Sequence, residues 1–394
     1  MSETRVISLG CRLNHAESER IAALVEAQPD LVVVNSCSVT REAVRHTRQA
    51  IRRARKARPG ARLLVTGCAA ETEREALGAM DEVDGFVANQ AKLDARSWNV
   101  PEPRVALRQQ GTRAFIGVQN GCDHACTFCS IPAGRGTSRS DDIATVLRAV
   151  EARLIEGTQE VVLTGVDLTS WGHDLPGEPR LGALVAAILA EFPQLPRLRL
   201  SSVDGIEIDD ALFELIAGEP RVMPHLHLSL QHGSDLILKR MKRRHLRSDA
   251  IDLVARLKAR RPEIAIGADL IAGFPTETDA HHADNLSIVA ECGIVHGHIF
   301  PYSPRAATPA ARMPQVNGKA IKDRARRLRE AGDLAVERHL SAQVGRTHQV
   351  LLEAADMGRT EQFTEVSFAT PQPVGQIVEV AISGLRGGQL VAAS

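Results

Sequence analysis

Aromatic side chains are scarce, nine Phe, two Trp and one Tyr, or 3% of 394 residues. Few rings are therefore available to stack on bases, and any hold on nucleic acid must rest mainly on charge and backbone contacts. Charge of one sign is also lacking, since 48 Lys and Arg balance 48 Asp and Glu for a formal net of +0. The chain as a whole does not announce a polyanionic partner. No apolar run approaches the roughly 18 residues of a membrane span. The start, Met1-Ser2-Glu3-Thr4-Arg5-Val6, has no basic region followed by an apolar stretch. A cytoplasmic protein without membrane contact is predicted. Seven cysteines is an odd number, and several stand in motif-like loops, so metal-binding or catalytic thiols in a reducing compartment are predicted over a disulfide scaffold. The rest is ordinary globular composition, 44% hydrophobic and 24% charged, with length for two or three domains.

The run Gly121-Cys122-Asp123-His124-Ala125-Cys126-Thr127-Phe128-Cys129 places three thiols at C-x3-C-x2-C spacing. Iron–sulfur clusters take four cysteine ligands as a rule, and the next cysteine is Cys292, so this loop supplies three and leaves one iron open for a substrate or cofactor. The alternative is a zinc knuckle, but zinc prefers paired C-x2-C or Cys/His sets closed to four ligands, and His124 could complete one only with difficult geometry. This spacing resembles the signature of the radical S-adenosylmethionine (SAM) enzymes, a likeness that implies SAM chelated at the open iron.

From residue 4 to about 90, short apolar runs alternate with amphipathic stretches, which predicts a parallel α/β sheet. Strands are predicted at Arg5 to Leu9, Leu31 to Val34, Ala61 to Thr66 and Gly85 to Ala88, with helices at Asn14 to Ala27 and Thr40 to Arg58. Cys11, Cys37 and Cys68 each fall just past one of the first three strands, the sheet edge where open α/β folds bind ligands. Burial as small apolar residues is the plain reading of any one of them; three at equivalent positions, beside Gly10, Ser36 and Gly67, point to a second metal site.

Gly10-Cys11-Arg12-Leu13-Asn14 with Glu17-Ser18-Glu19, Asn35-Ser36-Cys37-Ser38-Val39-Thr40 and Thr66-Gly67-Cys68-Ala69 resemble the three cysteine segments of the methylthiotransferase family of radical SAM enzymes. The likeness spans nearly the whole chain. It implies two [4Fe-4S] clusters, one on Cys122, Cys126 and Cys129 as the catalytic set and one on Cys11, Cys37 and Cys68. Ile131-Pro132-Ala133-Gly134-Arg135-Gly136 resembles the family's proline-arginine-glycine segment, departing at Ala133, where tyrosine is usual.

Residues 97 to 113, with Trp98, Pro101 and Pro103, read as a linker between a first domain, 1 to 96, and a second, 114 to 340. In the second, strands are predicted at Phe115 to Val118, Glu160 to Leu163, Arg197 to Leu200, His225 to Leu230, Ile264 to Leu270 and Val295 to Phe300. A helix capped by Ser140, with Asp141 and Asp142 at its positive end, carries Ile143, Val146, Leu147, Val150 and Leu154 at helical spacing. Periodicity alone supports parallel α/β; the resemblance implies the radical SAM partial (β/α)6 barrel. By the same resemblance Phe128 packs on the SAM adenine or in the core, Gly165 lies near the SAM amino group, and Ser201 and Gln231 offer polar contacts. The strand from Gly267, with Asp269, lets backbone approach adenine. His232 and Cys292 are read as structural, Cys292 on a helix within Asn285 to Gly297.

From about Thr347 short β-like runs, Gln349 to Glu353, Glu361 to Phe368, Gln376 to Ile382 and Gln389 to Ala392, predict a small antiparallel barrel over 341 to 394. Its place matches the family's RNA-binding TRAM domain. Two basic runs stand out. Arg41 to Arg58 reads as a solvated helix face, and Lys239, Arg240, Lys242, Arg243, Arg244 and Arg247, near the barrel mouth, as a site for RNA phosphates.

The resemblance implies two SAM molecules. One methylates a sulfur associated with the second cluster; the other, cleaved by an electron, gives the deoxyadenosyl radical that abstracts hydrogen from the carbon to be methylthiolated. The implied partners are tRNA through its anticodon stem-loop, an electron donor such as flavodoxin or ferredoxin, and a sulfur donor of unspecified kind. Arg12-Leu13 resembles the branch acting on N6-threonylcarbamoyladenosine at tRNA position 37. The isopentenyladenosine branch is the nearest rival, and the ribosomal-protein aspartate branch normally has proline where Arg12 stands. A non-catalytic iron–sulfur RNA-binding protein stays open as another class, though it gains nothing from an unligated iron.

Overall fold

The computed structural model describes residues 6–100 and 112–393. Arg5, predicted to open the first strand, and Pro101 and Pro103 of the linker lie outside those residues. Four parallel strands, β1 (Val6–Ser8), β2 (Leu31–Ser36), β3 (Arg62–Gly67) and β4 (Gly85–Phe86), lie side by side in chain order. The central two are almost wholly buried because both sheet faces are covered. Leu31, Val33 and Leu64 pack with Ile21 and Leu24 of helix α1 (Arg12–Leu24) on one face. Val32, Val34, Leu63 and Val65 pack with Ile51 and Ala54 of α2 (Arg41–Ala57) on the other. Thr40 caps α2 through its Oγ1, which accepts from the Ala43 amide at 3.0 Å. Trp98 corrects the linker's start: it is buried in the first core, and its indole N–H donates to the Lys92 carbonyl at 2.8 Å.

The second domain runs through β5 (Arg113–Gly117), α3 (Ile143–Ile155), β6 (Glu160–Thr164), α4 (Leu181–Glu191), β7 (Arg197–Leu200), α5 (Asp210–Gly218), β8 (His225–Gln231), α6 (Arg247–Arg260), β9 (Ala265–Ala272), α7 (Asp279–Glu291) and β10 (Ile294–Pro301). β5, β6 and β7 pair in parallel. The chain bends at Ser201, whose N–H donates to the Leu163 carbonyl, and the next two residues, Ser202–Val203, pair with β8, which continues to β9 and β10. Six strand positions thus form one parallel arc, and Leu226, Leu228, Ile266, Ala268 and Leu270 turn outward into the core beneath the helices. Ser140 is not the cap of α3. It pairs with Gln119 in a short antiparallel ladder, which keeps its backbone extended, and Asp142 caps the helix instead by accepting from the Thr145 amide at 2.7 Å. Cys292 is the residue that ends α7 and is fully buried, and the chain has entered β10 by Ile294.

Helix α8 (Gly318–Ser341), which the sequence reading missed, packs on β10 and carries Val336 and Leu340 into the third core. That domain is a closed barrel of β11 (Thr347–Ala354), β12 (Met357–Arg359), β13 (Glu365–Ser367), β14 (Ile377–Arg386) and β15 (Gln389–Ala392). The strand predicted over Glu361 to Phe368 is broken, because Phe363 is left-handed (φ 72°) in the turn between β12 and β13. One pair, β13 with β15, is parallel in an otherwise antiparallel barrel.

Phe363 joins the third domain to the amino-terminal ends of the second domain's strands. The guanidinium carbons of Arg12, Arg113, Arg199 and Arg359 lie 5.1, 5.0, 4.9 and 4.5 Å from its ring centre. Behind the ring, fully buried Glu160 accepts from Arg199 at 3.0 and 3.1 Å and pairs with Arg113. Burial alone would raise the Glu160 carboxyl, but Arg199 and Arg113 outweigh it and draw it down to about 2.

Phe363→Leu, which keeps bulk but loses the ring quadrupole, should cost about 1–2 kcal/mol in chemical denaturation. Near the same junction burial holds His296 down to about 4 and His225 well below its ordinary value. Such groups stabilise the fold above their unfolded value of about 6.5 and lose that contribution as pH falls toward the folded one. Stability should therefore decline between pH 6.5 and 4, and His296→Gln should flatten the decline.

Candidate active site

The cysteine loop begins at Gly121 (φ 75°), where a Cβ would lie 1.8 Å from the Thr137 carbonyl oxygen, so the turn requires glycine. Gln119 binds both sides of this opening. Its Nε2 donates to the Gly121 carbonyl at 2.8 Å and the Ser138 hydroxyl at 2.9 Å, while its Oε1 accepts from the Val166 and Asp167 amides at 3.0 and 2.9 Å. Cys122, Cys126 and Cys129 are all partly buried. Arg243 donates to the Cys126 sulfur at 3.7 Å and the Ile131 amide to that of Cys129 at 3.4 Å. Burial pushes the free thiols of Cys122 and Cys129 up to about 12 and about 11, so without a bound metal both stay protonated. His124 is engaged elsewhere: its Nε2 lies 2.7 Å from Asp167 Oδ2, and the carboxylates of Asp167 and Glu207 push it up to about 10.

In the first domain Cys11 is exposed and follows Gly10 (φ 95°), where a Cβ would come within 2.7 Å of the Cys37 sulfur. Cys37 and Cys68 are buried. Ser36 joins their segments, donating to the Thr66 carbonyl at 2.5 Å and accepting from the Ala70 amide at 3.1 Å. Among the described residues, the three-residue groups whose donor atoms all lie within 4.8 Å of one another include neither cysteine triad. A single tetrahedral zinc needs thiolates about 3.8 Å apart, given Zn–S bonds of roughly 2.3 Å, an arrangement neither triad has as it stands.

Arg135, in the short helix Ile131–Arg135 that follows the loop, ties the two triads together. Its guanidinium donates to both Glu17 oxygens at 3.0 Å, to Asn14 Oδ1 at 2.6 Å and to Asn120 Oδ1 at 2.7 Å. Lys92 Nζ lies 2.5 Å from Glu17 Oε2. Asn89 donates to the Gly134 carbonyl at 2.6 Å, and a Cβ on Gly134 would sit 3.4 Å from that of Cys68. Arg135, Lys92 and Glu17 are 3, 1 and 3% exposed, so two buried cations share one carboxylate. Burial alone would raise Glu17, but Lys92 and Arg135 hold it below its ordinary value. The surplus positive charge stands where Cys68 and Cys11 interact with Arg135, which suits a set of thiolates.

The residues predicted to contact SAM have differing surroundings, Gly165, Ser201 and Gln231 at the carboxyl ends of strands, Asp269 within β9 and Phe128 in the cysteine loop. Phe128 is half-buried, edge-on to Phe274 at 6.4 Å. Gly165 faces Gln119, whose Oε1 would be 2.9 Å from an added Cβ. Ser201 is buried and its hydroxyl has no partner. Gln231 is left-handed (φ 69°) at the end of β8. Asp269 Oδ1 lies 3.1 Å from His227 Nε2 and 3.2 Å from His298 Nδ1. Gly267 stands against His227, whose Nδ1 lies 2.4 Å from where a Cβ would be. The basic run is corrected. Arg240 donates to Thr276 Oγ1, Arg243 to Asp204, Arg244 to Glu207 and Arg247 to the Gly233 carbonyl, which leaves Lys239 and Lys242 as its exposed lysines.

The sequence matches the Radical SAM superfamily over residues 116–287 and Uncharacterized protein family UPF0004 over residues 3–88. It is 41% identical to the threonylcarbamoyladenosine tRNA methylthiotransferase MtaB of Rickettsia prowazekii, across 98% of this chain and 96% of that one. The chain belongs to the methylthiotransferase family of radical SAM enzymes. Within this methylthiotransferase family it is also 32% identical to the tRNA-2-methylthio-N(6)-dimethylallyladenosine synthase of Erythrobacter litoralis, over 96% of this chain and 94% of that one. In fold it is similar to the radical SAM methyltransferase TsrM of Kitasatospora setae, with a TM-score of 0.54 at 18% identity, covering 76% of this chain and 67% of that one. Family membership brings a [4Fe-4S] cluster and SAM. Among the described residues no helix is long and apolar enough to cross a membrane.

Sequence reasoning missed the joining residues of this methylthiotransferase. Arg135 and Glu17 stand in segments already singled out but carried no role, and Lys92, isolated in a loop, gave no signal. Arg135→Ala should cost about 3–5 kcal/mol by leaving Glu17 and Lys92 without their buried partner. In reconstituted protein it should also lower the iron bound per chain, whereas loss of stability at full iron content would show that the contact serves folding alone.

Proposed function

We infer that the protein is a radical SAM methylthiotransferase that converts N6-threonylcarbamoyladenosine at position 37 of tRNA to its 2-methylthio form in the cytoplasm. The observation that carries this reading is the pairing of two cysteine triads across one buried contact, Arg135 with Glu17. Cys122, Cys126 and Cys129 would hold one [4Fe-4S] cluster and Cys11, Cys37 and Cys68 a second. When bound, the reduced first cluster supplies the electron that splits SAM, which the protein's own side chains have no means to do. Arg243 donates to the Cys126 sulfur and so holds the middle of the loop in place. Gln119 pins the Val166 and Asp167 amides beside Gly165, the residue that would lie near the SAM amino group. Ser201 has a free hydroxyl for a ribose or substrate oxygen. Phe128, Gln231 and Asp269, the last oriented by two imidazoles, complete the SAM contacts. Domains at 6–100, 112–340 and 341–393 divide the work between second cluster, SAM chemistry and RNA binding, the last on the closed barrel.

Arg12 carries the sequence resemblance to the threonylcarbamoyl branch, and its guanidinium stacks on Phe363 of the third domain. The 41% full-length identity to a threonylcarbamoyladenosine enzyme supports the same substrate. The isopentenyl form is the second reading, motivated by the 32% likeness to a dimethylallyladenosine synthase.

Nucleoside mass spectrometry on tRNA from cells with and without the gene tests the substrate. Loss of 2-methylthio-threonylcarbamoyladenosine with build-up of its precursor is expected; loss of the isopentenyl form would move the assignment to the second reading, and an unchanged tRNA profile would reject both. In vitro, Cys126→Ala should reduce dithionite-driven cleavage of SAM to deoxyadenosine to background, and cleavage at the wild-type rate would overturn the assignment of this loop.

A further inference from the structure

The turn that follows the short helix Asp235–Arg240 lies directly against the cysteine loop. The Thr127 amide donates to the Met241 carbonyl at 3.1 Å and its hydroxyl to the Arg240 carbonyl at 2.9 Å. Arg243, two residues on, reaches the Cys126 sulfur at 3.7 Å. The turn's inner charges are already engaged, Arg240 on Thr276 and Arg243 on Asp204 and the Ser229 carbonyl. On its outer side Lys239 and Lys242 are exposed, and Arg244, though paired with Glu207 and Asp204, keeps 43% of its side chain in solvent. Lys242 is held left-handed (φ 57°), a conformation costly for a side-chain-bearing residue unless its surroundings impose it, so this lysine's place beside the loop is built in. The acids paired with Arg244, Asp204 and Glu207, are 4 and 9% exposed in their side chains, so the lysines supply the unpaired positive charge of this face. Exposed Asp123 accepts from the Ser138 amide, and exposed Asp235 from that of Arg247.

The other half of the loop faces the opposite way. Residues 129 to 136 meet the first domain through Gly134 beside Cys68 and Arg135 on Glu17. We propose that the face formed by Lys239, Lys242 and Arg244 docks an acidic one-electron donor protein of the flavin or iron–sulfur type. This rests on the radical SAM reading above. Electron transfer falls steeply with distance, so a donor must approach the cysteine loop itself. A cationic rim steers an acidic partner to the spot and raises its rate of encounter. In the step the donor is oxidised by one electron and the iron centre held by the loop is reduced by one; no covalent bond forms or breaks between the two proteins.

The test compares reconstituted wild-type enzyme with Lys239→Glu/Lys242→Glu and with the charge-neutral Lys239→Gln/Lys242→Asn, whose Asn tolerates the left-handed backbone. SAM cleavage to deoxyadenosine is driven either by flavodoxin with its reductase and NADPH or by dithionite, and affinity for a tRNA anticodon stem-loop is measured alongside. The expected result is a KM for flavodoxin raised about tenfold or more at low salt in the reversed variant, with a smaller rise in the neutral one. The gap should close as salt is added, with dithionite-driven rate, iron content and RNA affinity unchanged. An unchanged flavodoxin KM in variants of normal iron content would overturn the docking face, and a loss of RNA affinity in its place would assign these lysines to the tRNA. If wild-type protein cleaves no SAM under dithionite, the radical SAM reading itself fails, and the docking face with it.

Discussion

Three buried charges, Glu17, Arg135 and Lys92, hold the first and second domains in one relation. Their burial makes the contact sensitive to geometry, because each ion has given up water and has only its partners in return. Arg135 meets this demand with a planar fork that fits both Glu17 oxygens and still reaches Asn14 and Asn120. A lysine in its place would offer a point charge without that fork. The contact begins six residues past Cys129 and six residues past Cys11, so a shift in it moves one triad relative to the other.

The second domain is used at both ends. At the carboxyl ends of its strands lie the cysteine loop and the glycine and hydroxyl positions around it, the usual place for chemistry in α/β barrels. At the amino ends, Glu160 and its arginines form a charged floor closed by Phe363 from the third domain. Arg12 belongs to both regions, since it follows Cys11 in sequence and stacks on Phe363. Docking of the carboxyl-terminal barrel is thus linked through one side chain to the helix that starts beside a cysteine of the first triad.

Much of the fold was legible because its strands carry strong local signals. The continuous apolar runs of β2 and β3 marked a covered parallel sheet, and Arg197–Leu200 and Gln389–Ala392 stand where alternation put them. The errors arose where a distant partner decided local conformation. Ser140 has the chemistry of a cap, but pairing with Gln119 holds it extended, and the helix waits for Asp142. Trp98 stood in a stretch without periodicity, yet its ring fills the first core. The basic run looked available for phosphate because sequence cannot show which arginines already hold a carboxylate.

By itself the sequence determined which atoms could do chemistry. C-x3-C-x2-C spacing and three cysteines after three successive strands are local facts, readable because strand ends and tight loops are specified by near neighbours. Only the tertiary structure decided how the two sets relate. That relation rests on Arg135 meeting Glu17 across 118 positions of chain, and no local pattern distinguishes a charge that will be buried against a partner from one that will stay in water.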